Sequence, residues 1–438
     1  MQHTITSLPK SRVEITVTLP FSEFEPHVKR AAVKISEEKG IEGFRRGKAP
    51  YDIVKQRFGE AAIYEEAAEI AVRSTYPKMA QDITEQWEKE SKEFLPIGKP
   101  DITVTKLAPG NELAYKITLS LLPRVNLPSS YKDIARRVRG SEKTEVAATD
   151  DEVTKTIDWI RDSRTKIIAV DRPAKEGDAV EIDFEVKRGG VKIKGGEGHN
   201  HAFILGKGQF LPGFEDRLTG MSRGEEKEFD LPVPEDWREK SIAGQTLNIN
   251  VKMKAVQKKI VPPLDDEFAK QLGSFDSVAK LQSIVAAGIK TEKEEKEKQR
   301  VRLHIIEEIA KQSVIDLPDV LVEAEKNKMQ EELKRGVRDS GLEWESYLSH
   351  MKKTEEELMR EWSGQAEARS RVALCLGQIA REEGIKPEDK EVEERANTYL
   401  KQFQSPEKAQ KDIDPERLRA YTQDVLRNEK VFEFLENV

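Results

Sequence analysis

An internal stretch of alternating apolar and polar residues most constrains how this chain can fold. Alternation over residues 179–186 and again over 246–253 predicts β-strands, and Gly189 and Gly190 predict a hairpin turn after the first run. This β-rich stretch extends over residues 177–258, whereas the residues on either side show helical periodicity. The sequence therefore predicts an α+β protein of several domains, with a β-rich insert between other parts.

The second half of the chain is dominated by helical patterns. Thr354 and Glu357 form a capping box, and the apolar positions after it predict one long helix ending at Gly384. Pro318 opens an earlier helix, and the highly charged segment 290–302 predicts a solvated helix face. Long helices with sparse apolar stripes predict an extended all-α body with arms, which would leave apolar patches for unfolded segments.

The first half combines helices with a short sheet. Residues 102–106 and 113–121 predict a β-hairpin, residues 123–150 a polar connector, and residues 151–166 a helix before the insert. At 438 residues, with 35% charged and only 6% aromatic, the chain should form about two to four domains rather than one core.

Composition also limits the chemistry. The lone cysteine, Cys375, lies in an apolar helical patch and predicts packing rather than reactivity, and His199 and His201 are too few ligands for a metal site. The sequence contains neither a glycine-rich phosphate loop nor a dinucleotide fingerprint, so we expect no metal and no cofactor.

Without an apolar run long enough to span a bilayer or a signal-peptide core, we expect a cytoplasmic protein with no membrane partner.

A compact basic loop, Gly-Phe-Arg-Arg-Gly-Lys-Ala-Pro at residues 43–50, stands between two predicted helices. Ser22 and Glu25 predict a capping box for the first helix, which stops at Gly40, and Pro50 is expected in the first turn of the second. From residue 29 to residue 57 there are nine basic and four acidic residues, a local charge of +5 in a chain of net charge -7. Such a loop suits a phosphate-rich partner, although a solvated helix hairpin is the alternative.

The string Gly-Phe-Arg-x-x-Lys-x-Pro resembles the ribosome-docking loop of the trigger factor family of bacterial chaperones. That resemblance implies binding beside the exit tunnel of the ribosome, to ribosomal RNA and a ribosomal protein. The residues that it implies for ribosome binding are Gly43, Phe44, Arg45, Arg46, Lys48 and Pro50.

Residues 205–215, Leu-Gly-Lys-Gly-Gln-Phe-Leu-Pro-Gly-Phe-Glu, resemble the FKBP-type prolyl isomerase fold, in which a strand leads to a short helix that begins near Pro-Gly-Phe-Glu. In that fold an apolar cup desolvates the proline peptide bond and favours its twisted state. The cup residues implied by the resemblance are Phe184, Phe203, Phe210, Leu211, Phe214 and Ile249, with Trp237 as a further candidate. For Phe203 and Ile249, an ordinary role in the core is an equal alternative.

The chain departs from the isomerase pattern at several positions. Phe184 is followed by Glu185 and Val186 instead of Thr-Gly, and Ile193 and Lys194 stand where an aromatic and an acid are usual. The missing acid removes a hydrogen-bond acceptor from the cup. We therefore expect isomerase turnover to be weak or absent, even where peptide binding is kept.

The order of the two motifs resembles that of trigger factors over essentially the full length. It implies a ribosome-binding α/β domain at 1–122, a connector and helix at 123–174 that belong partly to the body, an inserted FKBP-like β half-barrel at 175–257 and an all-α chaperone body at 258–438. The expected function is that of an ATP-independent chaperone that binds unfolded and nascent polypeptides at the ribosome and has prolyl isomerase activity. A free-standing isomerase and a ribosomal RNA-binding assembly factor are the alternatives, and a homodimer off the ribosome stays open.

Overall fold

The computed structural model describes residues 1–90, 93–142, 144, 146–208, 210–237, 241–401 and 413–438, and of Lys194 only the backbone. The chain separates into two compact units, one formed by Met1–Lys143 with Lys298–Val438 and the other by Thr144–Glu297. The second unit therefore interrupts the first in sequence.

Strands and helices follow one another along the described chain. The strands are β1 (Gln2–Leu8), β2 (Arg12–Leu19), β3 (Pro96–Lys106), β4 (Leu113–Leu121), β5 (Val125–Asn126), β6 (Lys166–Ala169), β7 (Ala179–Arg188), β8 (Val191–Ile204), β9 (Glu226–Pro232), β10 (Thr246–Ile260) and β11 (Val314–Ile315). The helices are α1 (Phe21–Lys39), α2 (Tyr51–Phe58), α3 (Glu60–Lys89), α4 (Tyr131–Glu142), α5 (Asp150–Ser163), α6 (Phe214–Leu218), α7 (Asp266–Leu272), α8 (Val278–Gln312), α9 (Asp319–Asp339), α10 (Trp344–Met351), α11 (Glu355–Glu361), α12 (Ser363–Glu382), α13 (Asp389–Lys401) and α14 (Pro415–Asn437). The predicted fold class, mixed sheet and helix with a helical C-terminal body, is confirmed.

The N-terminal part of the first unit is an antiparallel sheet in the order β1-β2-β4-β3 with helices packed on one face. β2 and β4 alternate buried and half-buried residues, because only one face of the sheet meets the helices. On α1 the buried residues include Phe24, Val28 and Ile35, spaced as one face of a helix. The predicted β3–β4 hairpin is confirmed, and β3 begins earlier than expected.

Two predictions for the ends of these helices were wrong. α1 begins at Phe21 after Pro20, and no side chain caps it, so Ser22 and Glu25 lie inside the helix rather than forming a capping box. Pro50 is the residue immediately before α2 and not part of its first turn. The predicted end of α1 is correct, because Gly40 takes a φ of 67° that L-residues disfavour.

The helical body of the first unit has its own core, to which α4, α8, α12 and α14 contribute. The expected polar connector at 123–150 is wrong, since it contains α4, which buries Tyr131, Ile134, Ala135 and Val138. The capping box of Thr354 and Glu357 is confirmed.

The single long helix predicted after that capping box is divided at Trp362 into α11 and α12, and α12 ends at Glu382. The expectation that segment 290–302 is a solvated face fails at its last residue. Arg302 is only 2% exposed and pairs with Glu429 and Glu436 on α14.

The second unit is built around an open five-stranded sheet in the order β6-β10-β7-β8, with β9 also paired to β10. The long β10 holds β7 along one edge and, in succession, β9 and β6 along the other. Gly189 and Gly190, both at positive φ, form the predicted hairpin turn between β7 and β8. β6 was not predicted, because its four residues are all exposed and show no alternation.

Candidate functional site

The basic loop at residues 43–50 is held by two hydrogen-bonded turns. The Phe44 N–H donates to the Ile41 carbonyl at 3.1 Å, and the Lys48 N–H donates to the Arg45 carbonyl at 2.9 Å. Gly43 and Gly47 lie at φ of 87° and 73°, where a side chain would strain the backbone. The loop therefore has a defined conformation that depends on both glycines.

Side chains at the tip of this loop project into solvent. Phe44 is 41% exposed, an unusual position for a large aromatic, and Arg45, Arg46 and Lys48 are exposed as well. None of these three cations forms an ion pair with a described residue. By contrast, Ala49 at the base is buried in the core of the N-terminal part. The tip is free to bind while the base is fixed.

Elsewhere in the basic stretch, cations are partly neutralised. Lys29 pairs with Glu25, Lys34 with Glu66 and Lys55 with Glu60, each at 2.8 Å or less. These pairs lie on helices, away from the loop. Residues 45–48 therefore carry three exposed cations that pair with no described acid, and Arg30, Lys39 and Arg57 on the flanking helices are also exposed without such a pair.

In the second unit, the ring of Phe210 lies at the centre of an aromatic cluster. Its centroid is 4.6 Å from that of Phe203, 4.8 Å from Phe214, 5.3 Å from His201 and 6.3 Å from Phe184. Strands β7 and β8 supply Phe184, His201 and Phe203, while the segment before α6 supplies Phe210. The structure therefore brings the candidate cup residues together.

Burial divides the candidate cup residues into two groups. Phe203, Phe214 and Ile249 are buried in the core of the unit, whereas Phe184, Phe210 and Leu211 are half-buried. Trp237 is also half-buried against this core. The cluster therefore has a buried base and a half-buried outer part.

Two further residues beside the candidate cup escaped sequence reasoning. His201, considered only as a metal ligand, forms a T-shaped ring contact with Phe184, with centroids 5.9 Å apart, and another with Phe210. Gly198 faces Phe184, and a Cβ there would lie 2.5 Å from the Phe184 Cε1 atom. The alternation of His199, His201 and Phe203 along β8 could have placed His201 beside the aromatics.

Carboxylates shape the backbone around the cup. Glu215, buried at the start of α6, accepts hydrogen bonds from the Gly206 and Gly208 N–H groups at 2.7 and 3.1 Å through Oε2. Asp183 accepts from the Asn200 N–H at 2.8 Å, and this bond, with Lys254 nearby, lowers the pKa of Asp183. These bonds fix the loop before Phe210 and the turn in β8.

Ile193 packs partly buried against the same core, at the position where the isomerase pattern has an aromatic. The side chain of Lys194 lies outside the described residues.

In the described part of the chain, no three His, Cys, Asp or Glu side chains lie close enough together to hold a metal ion. Among the described helices, none is both long enough and apolar enough to cross a membrane.

Three protein-family models match successive parts of the chain. The N-terminal model of bacterial trigger factor matches residues 1–160, and its C-terminal model matches residues 277–436. Between them, the model of FKBP-type peptidyl-prolyl cis-trans isomerases matches residues 170–255. This order agrees with the positions of the loop, the cup and the helical body.

Relatives named trigger factor match nearly the whole chain. The protein from Carboxydothermus hydrogenoformans is 30% identical over 440 residues, covering 100% of this chain and 99% of its own length. The trigger factor of Caldicellulosiruptor bescii is 30% identical over 403 residues, covering 92% and 89%. A solved structure from work on substrate recognition by the trigger factor chaperone shares the fold, with a TM-score of 0.52 and 20% identity over 100% of this chain and 99% of that one.

A basic loop on a sheet-and-helix domain, an FKBP-type domain with an aromatic cup, and a helical body together define a multidomain folding chaperone that carries a prolyl isomerase. The extent of the matches makes the family definite. The chain belongs to the trigger factor family, the ribosome-associated chaperones with an FKBP-type peptidyl-prolyl isomerase domain. The predictions of family, chaperone function and isomerase domain are confirmed at this level.

Proposed function

We propose that this chain is an ATP-independent chaperone that docks at the ribosomal exit tunnel through Phe44, Arg45 and Arg46 and shields emerging apolar segments. Gly43, Lys48 and Pro50 complete the docking loop. The observation that carries the proposal is an exposed phenylalanine next to cations that no described acid neutralises, on a loop whose base is fixed. Exposed guanidinium groups without an acidic partner can bind the phosphates of ribosomal RNA, and the exposed aromatic ring can make an apolar contact with a ribosomal protein.

We also propose the domain limits 1–122, 123–174, 175–257 and 258–438 and a cytoplasmic location. The cup of the FKBP-type domain binds proline peptides through Phe184, Phe210 and Leu211, supported by Phe203, Phe214 and Ile249. Its turnover is weak, because Ile193 replaces an aromatic and no acid follows it to accept a hydrogen bond.

Co-sedimentation with empty and translating ribosomes tests the docking proposal. The triple variant Phe44→Ala, Arg45→Ala, Arg46→Ala should lose ribosome binding without unfolding, because exposed loop-tip residues make few packing contacts. The double variant Lys29→Ala, Lys55→Ala removes as many charges from the same stretch and serves as the control; it should bind normally.

Docking by the wild type should also weaken as the salt concentration rises, since phosphate contacts release counterions. A triple variant that sediments at the wild-type level would refute docking through the loop. Binding to free ribosomal RNA but not to translating ribosomes would instead favour the assembly-factor alternative.

A further inference from the structure

The second unit contains a groove outside the cup, beside the short strand β6. The groove has a volume of about 510 Å³ and is lined by Arg164, Lys166, Ile260, Pro262, Pro263, Phe268, Gln271 and Leu272. Its floor is therefore mainly apolar, while Arg164 and Lys166 place two cations at its side. Neither cation forms an ion pair with a described residue.

Strand β6 leaves one edge of its backbone unpaired next to this groove. Its four residues pair with Gln257–Ile260 of β10, and no described strand pairs with the opposite edge. Ile167 and Ile168 on this strand are 59% and 48% exposed. An exposed edge strand with apolar side chains is a template for a further strand.

The register of β6 and β10 gives the groove side a definite pattern. Lys166 lies opposite Ile260 and Ile168 lies opposite Lys258, so these four residues share one face of the strand pair. On this face of β6, therefore, Lys166 is followed by Ile168. An added strand would place an acidic residue beside Lys166 and an apolar residue beside Ile168, the pairs that stabilise neighbouring strands.

Neighbouring elements hold the groove in shape. The Arg161 guanidinium donates to the Pro262 carbonyl at 3.0 Å, and Lys259 pairs with Asp162 at 3.0 Å, which ties the end of α5 to the end of β10. Phe268 on α7 is buried in a small core against which Ile160 packs. The site is therefore preformed on packed elements.

We propose that β6 and its groove form a second client-binding site, which takes as an added β-strand an extended polypeptide segment whose apolar and acidic residues alternate along each face of the strand. The identity of this occupant rests on the proposed chaperone function. Backbone hydrogen bonds to the outer edge of β6 supply sequence-independent affinity. Arg164, Lys166 and Lys258 select acidic over basic segments.

The test uses a labelled peptide of about eight residues, the length of an ordinary strand, with the sequence Val-Val-Glu-Glu-Val-Val-Glu-Glu. A second peptide carries lysine in place of glutamate, and a third carries the acidic sequence with alternate amides methylated. Fluorescence anisotropy with the full chain should show binding of the first peptide only. Hydrogen exchange of the amides of Lys166–Ala169 should slow when it binds.

The variant Arg164→Gln, Lys166→Gln should bind the acidic peptide about tenfold or more weakly than the wild type does. It should also show a smaller difference in affinity between the acidic peptide and the lysine peptide. Its matched control is Arg223→Gln, Lys280→Gln, two exposed cations of the same unit that do not line the groove. Ile168→Ser should weaken binding about fivefold or more, whereas Val191→Ser, at the other edge of the sheet, should not.

Unchanged exchange at residues 166–169 in the presence of saturating peptide would overturn the proposal, as would equal binding by the groove variant and its control. An experiment can contradict the groove proposal without contradicting the proposed chaperone function. If the wild type and the groove variant suppress aggregation of an unfolded client equally and the peptide still binds the variant, the chaperone proposal stands and the groove proposal falls.

Discussion

Phe210 and Phe214 stack with ring centroids 4.8 Å apart, yet their burial assigns them different roles. Phe214 is 3% exposed and begins α6, whereas Phe210 is half-buried and its ring meets four other rings. The first residue therefore supports the domain core, and the second lies where the proposed peptide contact would be made.

We expect Phe210→Ala to abolish most isomerase activity on a short proline peptide while the domain stays folded. Phe214→Ala should instead destabilise the domain by about 3–5 kcal/mol, the usual effect of truncating a buried phenylalanine. A protease-coupled activity assay and denaturant unfolding measure the two effects. Equal losses of stability in both variants would contradict this division.

Gly198 gives a second prediction at this scale. A methyl group there would lie 2.5 Å from the ring of Phe184, so Gly198→Ala must displace that ring from the cup. We expect weaker peptide binding and a destabilisation of about 1–3 kcal/mol from overpacking. Gly288→Ala, in a helix and with open space around the new methyl group, is the control and should have neither effect. Normal peptide binding by Gly198→Ala would show that Phe184 is not part of the cup wall.

Single helices depend on capping and on partners from other helices. At the start of α5, Glu152 accepts from Thr149 and pairs with Lys293 of α8, and these contacts lower the pKa of Glu152 from 4.5 to about 2. A carboxyl whose pKa is lowered by folding stabilises the fold above its unfolded pKa. That stabilisation is lost as the pH falls from about 4.5 toward 2.

Lys293→Met should therefore raise the pKa of Glu152 toward its ordinary value, because the Lys293 ammonium is the largest cause of the shift. An NMR titration of the Glu152 carboxyl measures this change. Lys296→Met, which removes an exposed partner of Glu292, should leave the Glu152 pKa unchanged. An unaltered Glu152 pKa in Lys293→Met would mean that the Thr149 contacts alone hold it down.

The attachment of α14 to α8 depends on Arg302. Its guanidinium pairs with Glu429 and Glu436 and lies 5.6 Å from the ring centroid of Phe432. Arg302→Met removes the cation that these two carboxylates share, but both are partly exposed and Glu436 keeps Lys298 at 3.7 Å, so we expect a destabilisation of about 1.5–3 kcal/mol. Lys311→Met, on an exposed part of the same helix, should change stability little. Thermal unfolding compares the two, and similar midpoints would argue against a structural role for Arg302.

Apart from the capping box of Ser22 and Glu25, elements with strong local signals could be predicted from the sequence, and elements decided by tertiary packing could not. The hairpin at Gly189 and Gly190 and the α11 capping box depend on neighbouring residues, so both were correct. Helix α4 was missed because its surroundings are polar, although Tyr131, Ile134, Ala135 and Val138 follow helical spacing. Strand β6 has no alternating pattern, and only its pairing with β10 defines it.

The candidate cup shows the same division. The motif at residues 205–215 identified Phe210 and Phe214, because its residues are contiguous in the sequence. Gly198 pairs with Phe184 only after a shift in the register of β7 and β8, so its approach to that ring required the structure, whereas alternation along β8 could have placed His201.

At the scale of the whole molecule, the insert can be removed at a natural junction. Ala169 of β6 and Gln257 of β10 are paired neighbours on antiparallel strands. Replacing residues 170–256 with Asn-Gly would therefore join them by a two-residue hairpin turn. The isomerase domain lies between these two points.

We expect this deletion to keep most of the ability to suppress aggregation of an unfolded client, because the helical body stays complete. Light scattering of a denatured client during dilution measures this ability. A folded deletion variant that no longer delays aggregation would favour the isomerase-first alternative.

The discontinuous core of the helical body has a consequence for how the protein is made. α4 contributes Tyr131 and Ile134 to a core that also needs Ile306, Cys375 and Leu435. During synthesis, α4 leaves the ribosome long before α12 and α14 exist, whereas the strands of the second unit are close in sequence and can pair early. The apolar face of α4 therefore stays exposed until the rest of the chain has been made. As a nascent chain, this chaperone itself exposes the kind of apolar surface that chaperones bind.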